Sequence, residues 1–290
     1  MSFSEQSPTS LLGTIAQRLG ITGRNSRQIL ERASKLHLPF QALPLPEQSI
    51  WWQSGPPLQR LLDLPRGALS GPVQEDKAQA HAVLIGLVKQ RQEQLDSFDL
   101  RLVTGVSCTE INSRACQSFE EYAASEACHH IRIISYKDFV KVISQALPRF
   151  LAGEPINLRQ ANWHGEQLYW CGEQNLEAFA CAIAYARRRG LEISLPAVLT
   201  HYQIDPAGLA ELQNAYHMLA MPVQAWTDPA FMALLLDHGL PYARLSLLRS
   251  PGAPEFLLLP KAHAQALSLG DGLRLAGAPD VISYLQQLKH

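Results

Sequence analysis

The sequence has no marked excess of charge of either sign, which argues against several classes of protein. Its 25 Lys and Arg residues are balanced by 26 Asp and Glu residues, for a formal net charge of −1. Such a chain has no general attraction to nucleic acid or to an anionic membrane. The hydrophobic content of 47% is typical of a globular protein that buries an ordinary core. We therefore do not expect nucleic acid to be a partner.

Long apolar runs and a secretory pattern are also missing. Met1–Ser10 is polar, and the apolar run Leu11–Leu19 is interrupted by Gly13, Gln17 and Arg18. No stretch approaches the roughly 20 apolar residues that a membrane span requires. The cysteines number only five, an odd count that disfavours a disulfide framework in a chain of this length. These features predict a cytoplasmic protein with no membrane partner.

Common catalytic motifs are absent as well. The sequence has no phosphate-binding P-loop, no GxGxxG after a strand, no HExxH and no GxSxG. Each of these patterns places particular atoms on a substrate or metal, and their absence disfavours the enzymes that depend on them. The sequence therefore does not predict a common NTPase, Rossmann enzyme, zincin or α/β-hydrolase.

The densest group of potential ligands is Cys108–His130, which holds three of the five cysteines and two of the ten histidines. A Cys₃His set has the number and softness of ligands for a closed, structural zinc site. The spacing lacks the paired C-x₂-C units of strong zinc motifs, so two alternatives stay open: a disulfide, or buried cysteines beside surface histidines. The candidate zinc ligands are Cys108, Cys116, Cys128 and either His129 or His130.

A cysteine nucleophile is a second hypothesis. Cys171 precedes a predicted helix, whose amino end lowers a thiol pKa and offers donors to an oxyanion. His201 would act as the base and either Asp205 or Glu173 would orient it, in the order of papain-like sites. The alternative is a hairpin cysteine that packs against the helix.

The chain divides by composition into an arm, residues 1–75, and a main domain, residues 76–290. The arm contains a basic helix that is capped by Asn25 or Ser26 and runs to Leu36, and a proline-rich stretch from Pro39 to Pro72. Trp51 and Trp52 lie in that stretch, and we expect them to anchor it on the main domain rather than to remain exposed. The arm is also the predicted binding site for a protein partner.

The main domain mixes helices and hairpins without a βαβ period, which predicts an α+β fold. Apolar spacing predicts helices at Asp76–Gln94 and Asn175–Arg189. A hairpin is predicted from Ile156–Ala161 and Glu166–Trp170 around Trp163-His164-Gly165. The other predicted elements include two strands on either side of Pro196, a helix from Asp205 to about Leu219, a helix at Lys261–Leu267 and a strand at Gly272–Leu275.

Three segments carry a resemblance: Trp163–Gln174, Pro241–Leu247 and Cys128–Ile131. Together they are similar to an uncharacterised bacterial protein family, a domain of unknown function, over roughly residues 100–290. The resemblance implies a bacterial protein and supplies no activity, cofactor or catalytic residue. We therefore expect a non-catalytic binding or regulatory protein, with structural zinc as its only candidate cofactor. The alternative is a cysteine-dependent hydrolase or transferase.

Overall fold

The computed structural model describes residues 21–107, 116–165, 167–172, 174–248 and 252–288. These residues form helices and two mostly antiparallel sheets, which confirms the predicted α+β class. They divide into two compact units, each assembled from separate segments of the chain. Unit 1 contains the described parts of Met1–Pro44, Asp63–Leu87 and Asp205–Gln286, and unit 2 those of Leu45–Leu62, Val88–Ile204 and Gln287–His290. The predicted boundary after residue 75 falls inside unit 1.

The described elements alternate irregularly along the chain. The strands are β1 (Leu69–Ser70), β2 (Val88–Asp99), β3 (Gly105–Val106), β4 (Ile156–Ala161), β5 (Leu168–Trp170), β6 (Ser194–Ile204), β7 (Tyr216–Met221), β8 (Ala243–Leu245) and β9 (Glu255–Pro260). The helices are α1 (Ile21–Ser34), α2 (Gln74–Ile85), α3 (Phe119–Ala123), α4 (Tyr136–Ala146), α5 (Leu176–Arg189), α6 (Pro206–Ala215), α7 (Pro229–Leu236), α8 (Ala264–Leu275) and α9 (Val281–Leu288).

Unit 1 is organised around an antiparallel sheet with the strand order β1–β8–β9–β7. Its core combines apolar side chains from β7, β9, α1, α7 and α8. Helices α1 and α8 approach closely at Gly272, where an added Cβ would lie 2.6 Å from Cβ of Ala33. Ile29 and Ala33 are fully buried. The described helix of the predicted arm therefore forms part of this core.

Unit 2 is organised around a mixed sheet with the strand order β2–β6–β4–β5–β3. β4 and β6 are parallel, as are β3 and β5, and the other neighbouring pairs are antiparallel. Side chains of α3, α4 and α5 share the core with this sheet. Trp51 and Trp52 are buried, which confirms that this pair is packed rather than exposed.

The predicted helix Asp76–Gln94 was wrong in its second half. Helix α2 ends at Ile85, and β2 begins at Val88. Residues 89–94 are all exposed, so no apolar face fixes a helix there. Instead, a continuous antiparallel ladder with β6 determines the backbone. Tertiary pairing has overridden a local preference for helix.

Two strands were predicted around Pro196, but the structure has one, β6. Proline lacks an N–H and is tolerated within a sheet at a bulge. The β2–β6 register shifts between Leu95 and Phe98, which pair with Ala197 and Leu195. Pro196 thus lies opposite this irregularity, where the ladder is already interrupted.

Two predictions nearer the end of the chain also require correction. The helix that starts after Asp205 ends at Ala215 rather than Leu219, because the next six residues form the buried strand β7. The helix and strand predicted at Lys261–Leu267 and Gly272–Leu275 form a single helix, α8. The glycines in α8 allow close packing and do not end the helix.

Candidate ligand-binding site

Unit 2 contains a cleft of about 420 Å³ beside the turn between β4 and β5. A volume of this size is within the range of small-molecule sites. Leu45 and Pro46 supply apolar surface, and Trp163 also lines the cleft. The polar side chains in its described lining are Glu47, Gln48, Asn162, His164, Gln167 and Gln287.

The β4–β5 hairpin places the central residues of this cleft. The structure confirms the predicted hairpin, with a short 3₁₀ turn at Asn162–His164 between its arms. Oδ1 of Asn162 accepts a hydrogen bond of 3.1 Å from the main-chain N–H of Ile204. This bond ties the turn to the end of β6, so the wall of the cleft is fixed to the sheet.

His164 is packed among aromatic rings. Its imidazole stacks on Trp52, with ring centroids 4.7 Å apart and an interplanar angle of 29°. Tyr169 meets the same imidazole edge to face at 5.2 Å. On the remaining side, a Cβ added at Gly55 would lie 2.2 Å from Cε1 of His164. The imidazole therefore needs glycine at position 55 and has little contact with water.

This burial determines the charge of the imidazole. Removal from water disfavours the protonated form and lowers the pKa of His164 to about 4. The side chain is therefore neutral at pH 7. A neutral imidazole presents one N–H donor and one acceptor nitrogen, and its surroundings decide which nitrogen has which role.

The hydroxyl of Tyr169 assigns these roles. It has two acceptors for its single proton: the main-chain oxygen of Ser49, at 3.3 Å, and Oε1 of Gln167. The hydroxyl oxygen can then accept a hydrogen bond from Nδ1 of His164, which lies 3.3 Å away. This arrangement favours the tautomer that carries its proton on Nδ1 and has Nε2 as an acceptor.

Two buried ring nitrogens of this wall have no hydrogen-bond partner among the described residues. They are Nε1 of Trp163, a donor, and Nε2 of His164, an acceptor. An unpaired buried polar group costs roughly 1–3 kcal/mol, and folded proteins contain few of them. Both nitrogens are buried, and Nε2 of His164 lies against Gly55, so a ligand would reach them only if the imidazole and the turn were displaced.

The charge of the cleft excludes one class of ligand. Glu47 is a carboxylate, and the described lining includes no lysine or arginine. Because His164 is neutral, no described lining residue offers a positive charge to an anion. The amide side chains of Gln48 and Gln167 can donate and accept hydrogen bonds. The lining thus suits neutral or cationic polar molecules.

The predicted zinc ligands are only partly brought together. Cys116 and Cys128 are both buried in the core of unit 2, whereas His129 and His130 are exposed. Cys108 lies outside the described residues. Among the residues that the structure describes, no group of three or more His, Cys, Asp and Glu side chains could hold a metal ion. The zinc site stays a prediction.

A different cysteine joins this neighbourhood. Cys181 of α5 is buried, as expected for the apolar side of that helix, and its thiol hydrogen-bonds with that of Cys128. Burial raises the pKa of both thiols, to about 12 for Cys181. Thiols with such pKa values are poor nucleophiles at neutral pH. These two cysteines therefore act as core residues.

The sheet does not bring Cys171 and His201 together. Cys171 follows β5 and donates its N–H to Asn157 of β4, whereas His201 of β6 pairs with Gln160 of β4. β4 thus lies between Cys171 and His201. Their positions along the strand direction are also about three residues apart, which corresponds to roughly 10 Å. Burial raises the pKa of Cys171 to about 11. Asp205 caps α6 by accepting from the N–H of Gly208, and it belongs to unit 1. Glu173 lies outside the described residues.

Sequence reasoning did not identify Trp163 and His164 as site residues. It placed them in a hairpin turn, which was correct, but assigned no chemistry to that turn. The available cue was the density of aromatic and amide residues in Trp163–Gln174, a segment already distinguished by its resemblance. Trp52 and Glu47 lie more than 100 residues earlier, and their contribution becomes visible only in the fold.

Fold and cleft together define an α+β protein with a ligand-sized polar cleft. The chain belongs to DUF6685, a family of unknown function whose model matches residues 92–290. This confirms the resemblance to an uncharacterised family. The matched region includes the turn with Trp163 and His164 but not Glu47. No curated protein and no solved structure matches the chain. No helix in the described ranges has the length and apolarity to span a bilayer.

Proposed function

We propose that the protein is a non-catalytic binding protein whose unit 2 cleft holds a small polar molecule that is neutral or cationic. The observation that carries the proposal is a cleft of about 420 Å³ whose lining combines apolar surface with the carboxylate of Glu47 and the side-chain amides of Gln48, Gln167 and Gln287. A ligand with a donor and an acceptor would find partners for both among these amides. Hydroxyl and amide groups offer both a donor and an acceptor, whereas a protonated amine offers donors only.

The chemistry of the lining supports binding without catalysis. The described lining contains no Cys, Ser, Thr, Lys or Tyr side chain that would attack a substrate. A histidine with a pKa of about 4 is almost entirely unprotonated at pH 7 and is a weak base. Neither nucleophilic catalysis nor proton transfer near neutral pH is favoured by such a site.

The charge preference rests on Glu47. An ammonium or guanidinium group near this carboxylate gains Coulomb attraction, and the amide oxygens of Gln48 and Gln167 accept its hydrogen bonds. A carboxylate ligand would meet Glu47 without a compensating cation. The proposal therefore predicts an order of affinity: cationic ligand, then neutral ligand, then anionic ligand.

Three small probes of equal length test this order: 1,4-diaminobutane, 1,4-butanediol and succinate. Each is titrated while thermal unfolding and tryptophan fluorescence are followed. A ligand at about ten times its Kd stabilises the folded state by about 1.4 kcal/mol, which raises the midpoint by roughly 3 °C. We expect the diamine to give the largest rise, the diol a smaller rise and succinate none.

Glu47→Gln should abolish the preference for the diamine over the diol. The matched control is Glu211→Gln, an exposed glutamate of α6 in unit 1, which should leave the preference intact. The proposal fails if none of the three probes shifts the midpoint or the fluorescence. It also fails if succinate stabilises the protein as much as the diamine does.

A further inference from the structure

Strand β2 forms one edge of the unit 2 sheet and has an unusual composition for its length. It has 12 residues and pairs with β6 alone among the described strands. Residues 89–94, which read Lys-Gln-Arg-Gln-Glu-Gln, are all exposed. Neither face of this segment packs on a core, and Gln, Glu and Lys are not favoured in strands. The continuous ladder with β6 thus determines the strand conformation of this segment.

The outer side of such a strand offers a row of main-chain N–H and C=O groups. Proteins often protect an edge with charged side chains, especially lysine. β2 instead carries both signs on one face, at Lys89, Arg91 and Glu93. Opposite charges on one strand make attraction between two copies depend on the register.

We propose that β2 is a dimer interface, on which β2 of a second copy adds as an antiparallel strand about a two-fold axis at Gln92. The closed two-fold symmetry of common dimers requires each contact to occur twice. With Gln92 opposite itself, Arg91 of each copy faces Glu93 of the other. Gln90 likewise faces Gln94, whose amide can donate and accept.

Neighbouring registers are less favourable. In an antiparallel pair of identical strands related by a two-fold axis, the two residues that face each other lie the same number of residues from the axis, one on each side. The axis therefore passes through one residue position, and alternative registers move it by one residue at a time. An axis at Arg91 places two arginines opposite each other, and an axis at Glu93 places two glutamates opposite each other. Like charges directly opposite are destabilising. An axis at Arg91 also brings Lys89 opposite Glu93, but it does so at the cost of the facing arginines. Among axes from Lys89 to Glu93, the axis at Gln92 is the register in which unlike charges meet and no like charges face each other.

The intrachain geometry already positions these charges. Nη2 of Arg91 lies 3.4 Å from Oε2 of Glu93, and the same oxygen lies 3.4 Å from Nε2 of His201. A second copy would extend this group into a network of alternating charges, and networks contribute more than isolated surface pairs. About seven residues of β2 have a regular strand conformation before the bulge near Leu95. Pairing of these residues between the two copies would form about seven main-chain hydrogen bonds.

Charge reversal tests the interface and its register. Sedimentation velocity is measured from about 1 to about 500 µM, because an interface of one strand pair is small and binds weakly. Arg91→Glu and Glu93→Arg should each weaken the dimer about tenfold or more, since two attractive pairs become repulsive. The double variant R91E/E93R should restore the wild-type Kd. A mixture of the two single variants should form a heterodimer.

Lys89→Glu is the matched control, because it makes the same change of charge but faces Leu95 of the second copy. It should leave the Kd within about twofold of wild type. Circular dichroism of each variant checks that the fold is kept. A wild-type chain that remains monomeric over the whole range overturns the proposal. So does a dimer that the single reversals leave unchanged, or one that the double variant fails to restore.

Discussion

Lowering the pH should destabilise the protein through His164. Burial lowers the pKa of this imidazole from 6.5 to about 4. Between these values the unfolded state binds a proton here that the folded state does not, so this contribution to stability is complete above pH 6.5 and is lost as the pH falls toward 4. One pKa unit corresponds to about 1.4 kcal/mol. The expected loss from His164 is therefore about 3 kcal/mol.

The variant His164→Phe isolates this contribution. Phenylalanine keeps a ring against Trp52, whose centroid lies 4.7 Å from the imidazole, but it does not titrate. Free energies of unfolding are measured in urea by circular dichroism at several pH values between 7 and 4. The difference between wild type and variant should change by about 3 kcal/mol over this range. Burial also lowers the pKa of His217, but that effect is common to both proteins and cancels.

His129→Phe is the control, because it removes an exposed imidazole by the same substitution. Its stability should follow that of the wild type across the range. A His164→Phe protein whose stability falls in parallel with the wild type would refute the reasoning. In that case the imidazole would be protonated as readily in the folded state as in the unfolded state, and the wall of the cleft would carry a positive charge at mildly acidic pH.

Three further predictions concern other parts of the chain. Gly272→Ala should lower the free energy of unfolding by about 1–3 kcal/mol, because its Cβ would lie 2.6 Å from Cβ of Ala33. The control is Gly67→Ala, whose added Cβ would meet no atom within 4 Å. Equal urea midpoints for the two variants would contradict the close packing at Gly272. Cys171, with its pKa raised to about 11, should react with iodoacetamide about a hundredfold more slowly than an ordinary thiol. Mass spectrometry would instead support the cysteine-enzyme alternative if Cys171 reacted fastest at pH 6. Elemental analysis should find about one zinc per chain if the predicted cysteine–histidine set binds it, and less than about a tenth of an equivalent rejects that set.

Elements with strong local determinants could be predicted from the sequence. Helix α5 was expected at Asn175–Arg189 and spans Leu176–Arg189, because apolar spacing and a closing glycine both specify it. Three arginines, Arg187, Arg188 and Arg189, end this helix, where positive charge complements the helix dipole, and one of them also makes distant contacts. Arg187 donates to the main-chain oxygens of Arg101 and Val103, at 2.9 and 2.7 Å. Those contacts join residues more than 80 positions apart, and no local pattern indicates them.

The failures have a common physical origin, which is pairing between distant strands. β2 lies where apolar spacing indicated a helix, and its conformation comes from the ladder to β6, whose paired residues follow 95 to 116 positions later. β7 replaces the end of a predicted helix because β9 pairs with all six of its residues. A strand stabilised in this way needs little intrinsic preference, since its partner supplies the hydrogen bonds.

The candidate site shows the same dependence on distant residues. A histidine in a turn titrates near its ordinary pKa when water surrounds it, and nothing local to Trp163-His164-Gly165 changes that. The pKa falls to about 4 because Trp52, Gly55 and Tyr169 exclude water from the imidazole. Two of these three residues come from the proline-rich stretch that composition assigned to an arm. The stretch therefore determines the charge of the cleft, and a substitution such as Gly55→Ala, which displaces the imidazole, should alter ligand binding as well as stability.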